Sequence, residues 1–319
     1  MTAYGQFSMA TDRYAMTLNS IWHYTDGRGL EGIVTHDKLR ATSFRHLNDS
    51  READYATGLL KAAAEKRRDS VPAPYQARFD ELMEYAERRG LDLFLLCAAR
   101  KPDLLTVWRG YGGRVSYAIE LDATVDLLPV ERSKEKTHPH PPAGHEIERD
   151  EDGYIVQDPD QLHIEAVPWR KVRYDTAGVD QRVDRIAKLA EKPKHALTDM
   201  FLPWHELADI KMLELKHPAF KDEREARMIL EVAPRWKFVY HYEGRFGVTP
   251  FIELSALNGE NQRYANDRYL TKAGPLPIRS VTIGPTPLGD EVIDATREFL
   301  EVNGYPDVDV SRSTIPFRS

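Results

Sequence analysis

The chain has 319 residues, with 44 Lys and Arg against 51 Asp and Glu, a formal charge of −7. Hydrophobic residues make up 41 %, which excludes collagen-like, low-complexity and wholly disordered chains and leaves room for about two domains or one large one. The net acidity excludes a general polyanion binder held by phosphate neutralisation, though not a local basic patch.

Residues 1–19 lack periodicity and read as a loose arm; a basic start followed by an apolar core is missing, so no secretory signal is expected. Ile21 to Thr25 is β-branched and aromatic and ends at Asp26-Gly27, the pattern of a short strand and turn. Gly29–Val34 follows with one or two helical turns, and Leu39–Phe44 reads as extended. Asp49 stands three residues before Glu52, the spacing of a cap and its returning carboxylate, so a helix is expected over about 50–66. A second is expected over about 75–89, beyond Pro72 and Pro74.

Asp92–Ala99 has the character of a buried central strand. Its apolar core is far shorter than the ~20 residues of a membrane helix. It holds Cys97, the only cysteine, which excludes an intramolecular disulfide and a multi-cysteine zinc site. A small buried hydrophobe and a reducing, cytoplasmic setting are the expectation.

Arg114–Leu121 alternates as a strand. Residues 131–161 turn charged and proline-rich and read as a mobile insertion. Strands are expected at 162–168, 171–174, 223–232 and 278–283, and a helix at 181–208 with a break near Pro193. A final helix over 291–302 stops at Asn303-Gly304, before a short strand near 308–310. Strands and helices mix without a regular βαβ beat, which favours α+β over a doubly wound sheet.

The common dinucleotide, P-loop, zinc-protease and serine-hydrolase signatures are missing. His138, His140 and His145 are close in sequence, but in a stretch with no rigid element to fix a metal's geometry. Three other places carry chemistry. His23, in mid-strand before a turn, points into a cleft or bonds a backbone carbonyl. Trp108-Arg109-Gly110-Tyr111 offers two aromatics with backbone room for a flat heterocycle, or an aromatic core patch. On a strand, Glu223, Glu225, Arg227 and Ile229 share one face opposite Ala226, Met228, Leu230 and Val232. Such a row can polarise a sugar hydroxyl and clamp an anion, or be a solvated charged face.

Taken in order, IWHYTDGRGLEGIV, LRATSF with HLND, LLTVWRGYGG, KDEREARMIL, VTIGPTPLGDEV and SRSTIPFR resemble a bacterial family of domains of unknown function. The match covers about residues 20–318, and that family in turn resembles the ADP-ribosyltransferase fold. Its first motif is similar to that of DNA-modifying ADP-ribosyltransferase toxins. The resemblance implies one mixed β core with peripheral helices and NAD as substrate, with no metal. It implies that His23, Tyr24 and Thr25 line the adenosine side and that Trp108 or Tyr111 stacks on nicotinamide, with Tyr117 as a substitute for Tyr111. Arg227 or Arg109 would bind the pyrophosphate, Glu225 would be catalytic, and Glu223 would orient the acceptor. The implied function is ADP-ribose transfer to protein, DNA or RNA by a toxin or phage-defence effector, with a partner protein in a defence or toxin–antitoxin system. An NAD glycohydrolase, a non-catalytic module that binds a nucleotide or a nucleic-acid end, and a structural partner protein are the competing readings.

Overall fold

The computed structural model describes residues 18–47, 50–91, 93–111, 115–132, 148–149, 155–157, 162–176, 178–192, 214–244, 247–257, 265–266 and 268–316. Nearly all of the predicted arm, the Asp49 cap, the three insertion histidines and residues 193–208 lie outside this set.

In chain order, β1 (Ser20–Asp26) leads through α1 (Gly27–His36) to β2 (Leu39–Ser43). Helices α2 (Ser50–Arg68) and α3 (Ala73–Leu91) precede β3 (Phe94–Ala99), α4 (Leu105–Tyr111), β4 (Ser116–Asp122) and β5 (Leu127–Pro129). The short ladder of β6 (Glu148–Arg149) and β7 (Ile155–Gln157) is followed by β8 (His163–Lys171), α5 (Val179–Ala190) and β9 (Glu225–Ala233). The remainder comprises α6 (Arg235–Phe238), β10 (Val239–Gly244), β11 (Gly247–Ala256), β12 (Ala265–Asn266), β13 (Tyr269–Leu270), β14 (Ile278–Ile283), α7 (Glu291–Val302) and β15 (Asp309–Arg312).

Eleven strands join in one mixed sheet, whose main path is β10-β11-β2-β3-β1-β4-β14-β15, with β9 added to β3, β8 to β9 and β5 to β11. Its pairs are antiparallel except β14 with β15. The fold is therefore α+β, as the irregular alternation of elements predicts. One face carries the main core, where Ile21, Leu96, Ala226, Met228, Ile252 and Val281 meet Leu30 and Ile33 of α1 and Leu300 of α7. Helices α2, α3 and α5 build a separate apolar cluster around Phe79, Val183 and Ile186. No helix among the described residues is long and apolar enough to cross a membrane.

A fork in the sheet positions the site. β1 and β2 both run antiparallel to β3, on the same edge of it. β2 takes Phe94 and Leu95, whereas β1 takes Ala99 through Trp22. Between these pairings β1 swings away to zip with β4 along its whole length. The turn into α1 is tight: Asp26 caps the helix by accepting from the Gly29 amide at 2.8 Å. A Cβ on Gly29 would come within 1.7 Å of Thr25 Oγ1, so no larger residue fits there.

Several expectations change. The paired strands at 162–168 and 171–174 are mainly one strand, β8, bent by a register shift between Val167 and Arg170 beside Pro168. The predicted helix from 181 ends at Ala190 in the described residues, and part of the supposedly mobile insertion forms the β6–β7 ladder. Cys97 is half-buried rather than enclosed.

Candidate functional site

At the start of β9 the chain turns sharply. A 3-10 turn over Pro218–Glu223 ends at Arg224, whose left-handed backbone (φ 48°) delivers Glu225 to the sheet. Glu223 thus belongs to the turn and not to the strand, which corrects the predicted four-residue row. The predicted alternation holds beyond it: Ala226, Met228, Leu230 and Val232 enter the main core, and Glu225 and Arg227 project the other way.

Both of these charged side chains are buried, Glu225 at 6 % exposure and Arg227 at 1 %. Arg227 Nε donates to Glu225 Oε1 at 2.7 Å and a terminal guanidinium nitrogen donates to Oε2 at 3.1 Å, a two-pronged clamp. Lys216, itself buried, bridges Glu225 Oε2 at 2.8 Å and Glu223 Oε2 at 2.7 Å. The backbone is held equally firmly: the Glu225 amide donates to the Tyr174 hydroxyl and the Glu225 carbonyl accepts from the Val172 amide, both at 3.0 Å. Burial pushes the Glu225 carboxyl up, but the charges and hydrogen bonds of Arg227 and Lys216 outweigh it and hold the group down at about 2. Glu225 is therefore a permanent anion at neutral pH. It can stabilise developing positive charge and cannot serve as a proton donor.

Strand register decides what shares its face. Trp22 pairs with Ala99 and Ala99 with Glu225, so the three stand in one lateral row on one side of the sheet. Tyr24 follows on that side and meets Trp108 edge-on at 4.5 Å between ring centroids. Both rings are buried, in a cluster with Ala99, Val107 and Ala118. Trp108 lies on α4, and its indole N–H donates to Asp103 Oδ1 at 2.9 Å. The Tyr24 hydroxyl accepts from the Leu104 amide at 3.0 Å, and burial, the largest influence, raises its pKa to about 12. Tyr24 and Trp108 are thus packed against each other in the core. Arg109 is exposed on α4, and the side chain of Tyr111 lies outside the described residues.

His23, Thr25 and Tyr117 form a second group. They alternate to the opposite side of the sheet, with Thr25 paired directly to Tyr117. His23 Nδ1 is 3.0 Å from the Cys97 carbonyl, across the fork. A carbonyl only accepts, so Nδ1 carries the proton and Nε2 is left as an acceptor. Burial lowers the pKa of His23, and the Cys97 carbonyl offsets this only in part, so the ring is neutral at pH 7. His23 and Glu225 therefore face opposite sides of the sheet, and the structure does not bring the two together on one face.

Sequence reasoning did not identify Lys216, Tyr174 or Asp103. Lys216 and Tyr174 reach Glu225 from loops, and no periodicity marks them. Asp103 gathers the Trp108 indole, the Ser313 hydroxyl, and both the amide (2.9 Å) and the hydroxyl (2.8 Å) of Thr314. It pins the end of the chain beside α4. Among the described residues no group of His, Cys, Asp and Glu could hold a metal ion. Compared with family models, with curated proteins and with solved structures, the chain matches none.

Proposed function

We propose that the chain cleaves NAD at the nicotinamide–ribose bond and passes ADP-ribose to a macromolecular acceptor. The resemblance of its ordered motifs to an ADP-ribosyltransferase-like family motivates this reading. The single observation that carries it is the Glu225 carboxylate, kept anionic on the sheet face that also bears Trp22. The bond from ribose C1′ to the pyridinium nitrogen breaks, and nicotinamide leaves neutral with the electron pair. The acceptor nucleophile bonds to C1′, and its proton goes to solvent. Positive charge builds on the ribose in between, as in glycoside cleavage. A fixed carboxylate on the 2′-hydroxyl lowers that barrier by roughly 3–4 kcal/mol. In this role Arg227 serves the carboxylate, which leaves exposed Arg109 for the pyrophosphate, and Trp22, which shares the carboxylate's face, takes the binding role that the resemblance gives to His23.

The test is release of nicotinamide from labelled NAD, followed by a search for label on protein, DNA and RNA. Glu225→Gln should abolish release. Because it leaves buried Arg227 and Lys216 without their anion, it should also lower the urea midpoint, so release is compared at a temperature where circular dichroism shows both proteins folded. Full turnover in that variant overturns the mechanism. A second reading, a nucleotide-binding module without catalysis, is favoured by the count of bonds at Glu225. Arg227 and Lys216 occupy three of its four lone-pair positions. Calorimetric NAD binding without nicotinamide release selects that reading.

A further inference from the structure

β10 ends one side of the sheet, followed by β11 and β2. Leu39, Ala41, Val239, Ile252 and Leu254 of these strands turn into the main core, so the alternate residues face the other way. On that outer face Tyr240 stands opposite Phe251, and Phe251 opposite Thr42. The Tyr240 and Phe251 rings stack with centroids 5.5 Å apart and planes at 24°, and Tyr242 meets Phe251 edge-on at 5.4 Å. Guanidinium groups flank the rings: Arg40 lies 4.7 Å from the Phe251 centroid and Arg132 lies 5.1 Å from that of Tyr240. The carboxylate paired across from Arg40, that of Glu253, is bound by Lys38 at 2.6 Å. Arg40 is exposed, and Tyr242 is 36 % exposed.

We infer that this face docks single-stranded RNA. The chain's net charge repels polyanions in general, so a polynucleotide must be held where cations are concentrated locally. The exposed Arg40 guanidinium and Tyr242 ring, backed by half-buried Tyr240 and buried Phe251, suit unpaired bases, which stack without regard to sequence. The hydroxyls of Tyr240, Tyr242 and Thr42 match the donor–acceptor 2′-hydroxyl that separates RNA from DNA. Register also links this face to the candidate site. Thr42 pairs with Leu95, and Cys97, two residues further along β3, pairs with Arg227. The ladder and Glu225 therefore lie on the same side of the sheet. RNA binding stands without the NAD reading; only its use as the acceptor rests on that reading.

The experiment is fluorescence anisotropy of the full chain with a labelled oligouridylate of about 15 nucleotides, comparable to known site sizes. Oligothymidylate of the same length and a polyglutamate peptide are the comparison arms. Arg40→Gln and Tyr242→Ala, both at exposed positions, should each weaken oligouridylate binding about tenfold. Arg40→Gln should also flatten the log–log salt dependence by about 0.7. Nicotinamide release without RNA should not change in either variant. Failure of the wild type to bind at low salt, or undiminished binding by both variants, overturns the surface. Equal affinity for oligothymidylate overturns the choice of RNA, and equal affinity for polyglutamate reduces the contact to charge alone. Absence of nicotinamide release with RNA binding intact removes the enzymatic reading and leaves this one standing.

Discussion

Trp22 on β1 and Glu225 on β9 project from the same side of the sheet with only Ala99 of β3 between them. An indole and a permanent anion thus border one strip of surface, although about two hundred residues of sequence separate them. Trp22→Ala removes the half-buried ring beside that strip without touching the Glu225 clamp. It should raise the KM for NAD and change kcat less, as expected for a group that binds ground and transition states alike. Steady-state nicotinamide release gives both constants, and a loss confined to kcat would contradict this role.

The Glu225 clamp makes acid stability predictable. A carboxyl held near 2 when folded, against an ordinary value of 4.5, contributes stability that is complete above 4.5 and is lost as pH falls towards 2. Arg227→Met leaves a buried anion short of a partner and should cost about 3–5 kcal/mol at neutral pH. Arg227→Lys keeps the charge but not the planar fork and should cost less. Lys216→Met should let the carboxyl rise, so that acid destabilisation begins at a higher pH. Urea midpoints followed across pH measure all of these.

Asp103 ties Trp108 to the end of the chain and does so from a left-handed backbone (φ 55°). Asp103→Leu removes every acceptor from this knot and strains the backbone, for a loss of about 3 kcal/mol. Asp103→Asn, which tolerates that conformation and keeps one oxygen, should lose less. Tryptophan fluorescence should shift to the red, and protease sensitivity should rise over residues 311–316.

His23 works in the neutral form. Its lowered pKa means that the folded state resists protonation, so stability is full above about 6.5 and declines as pH falls through the lower folded value. His23→Gln should remove that step from the pH profile of urea unfolding and leave the lower step of Glu225. An unchanged profile would mean that the ring does not titrate with folding.

Two glycines should respond oppositely to alanine. A Cβ on Gly284 would stand 2.5 Å from Ser116 Oγ and 3.0 Å from the Trp108 ring, so Gly284→Ala should cost about 1–3 kcal/mol. Within α1, Gly32 has open space around such a Cβ, and Gly32→Ala should add about 0.5–1 kcal/mol. Thermal melting distinguishes the two.

The elements most legible in the sequence are those whose pattern repeats. β1 announces itself by aromatic and β-branched residues before Asp26-Gly27, and β9 by the alternation from Ala226 to Val232. β10 and β11 were not expected. Pro250 within β11 argues against a strand, yet it lies just before pairing with β2 begins at Phe251, where the strand has a neighbour on one side only. α4 is hidden by Gly110 and by its shortness. The site was legible as residue types at Glu225, Arg227, Trp108 and His23, but not as an arrangement. Whether two strand residues share a face depends on the register of strands far apart in sequence, and no local pattern encodes that Trp22, rather than His23, aligns with Glu225.

The Asp103 knot has a consequence for biosynthesis. The Trp108 side of the knot is translated early, whereas Ser313 and Thr314, which complete it, follow Asp103 by 210 and 211 residues. Until those residues are made, Asp103 holds only the Trp108 indole of the four donors that the folded chain brings to it. Closure over so long a loop is slow, so this knot should be among the last contacts to form when the chain refolds from denaturant.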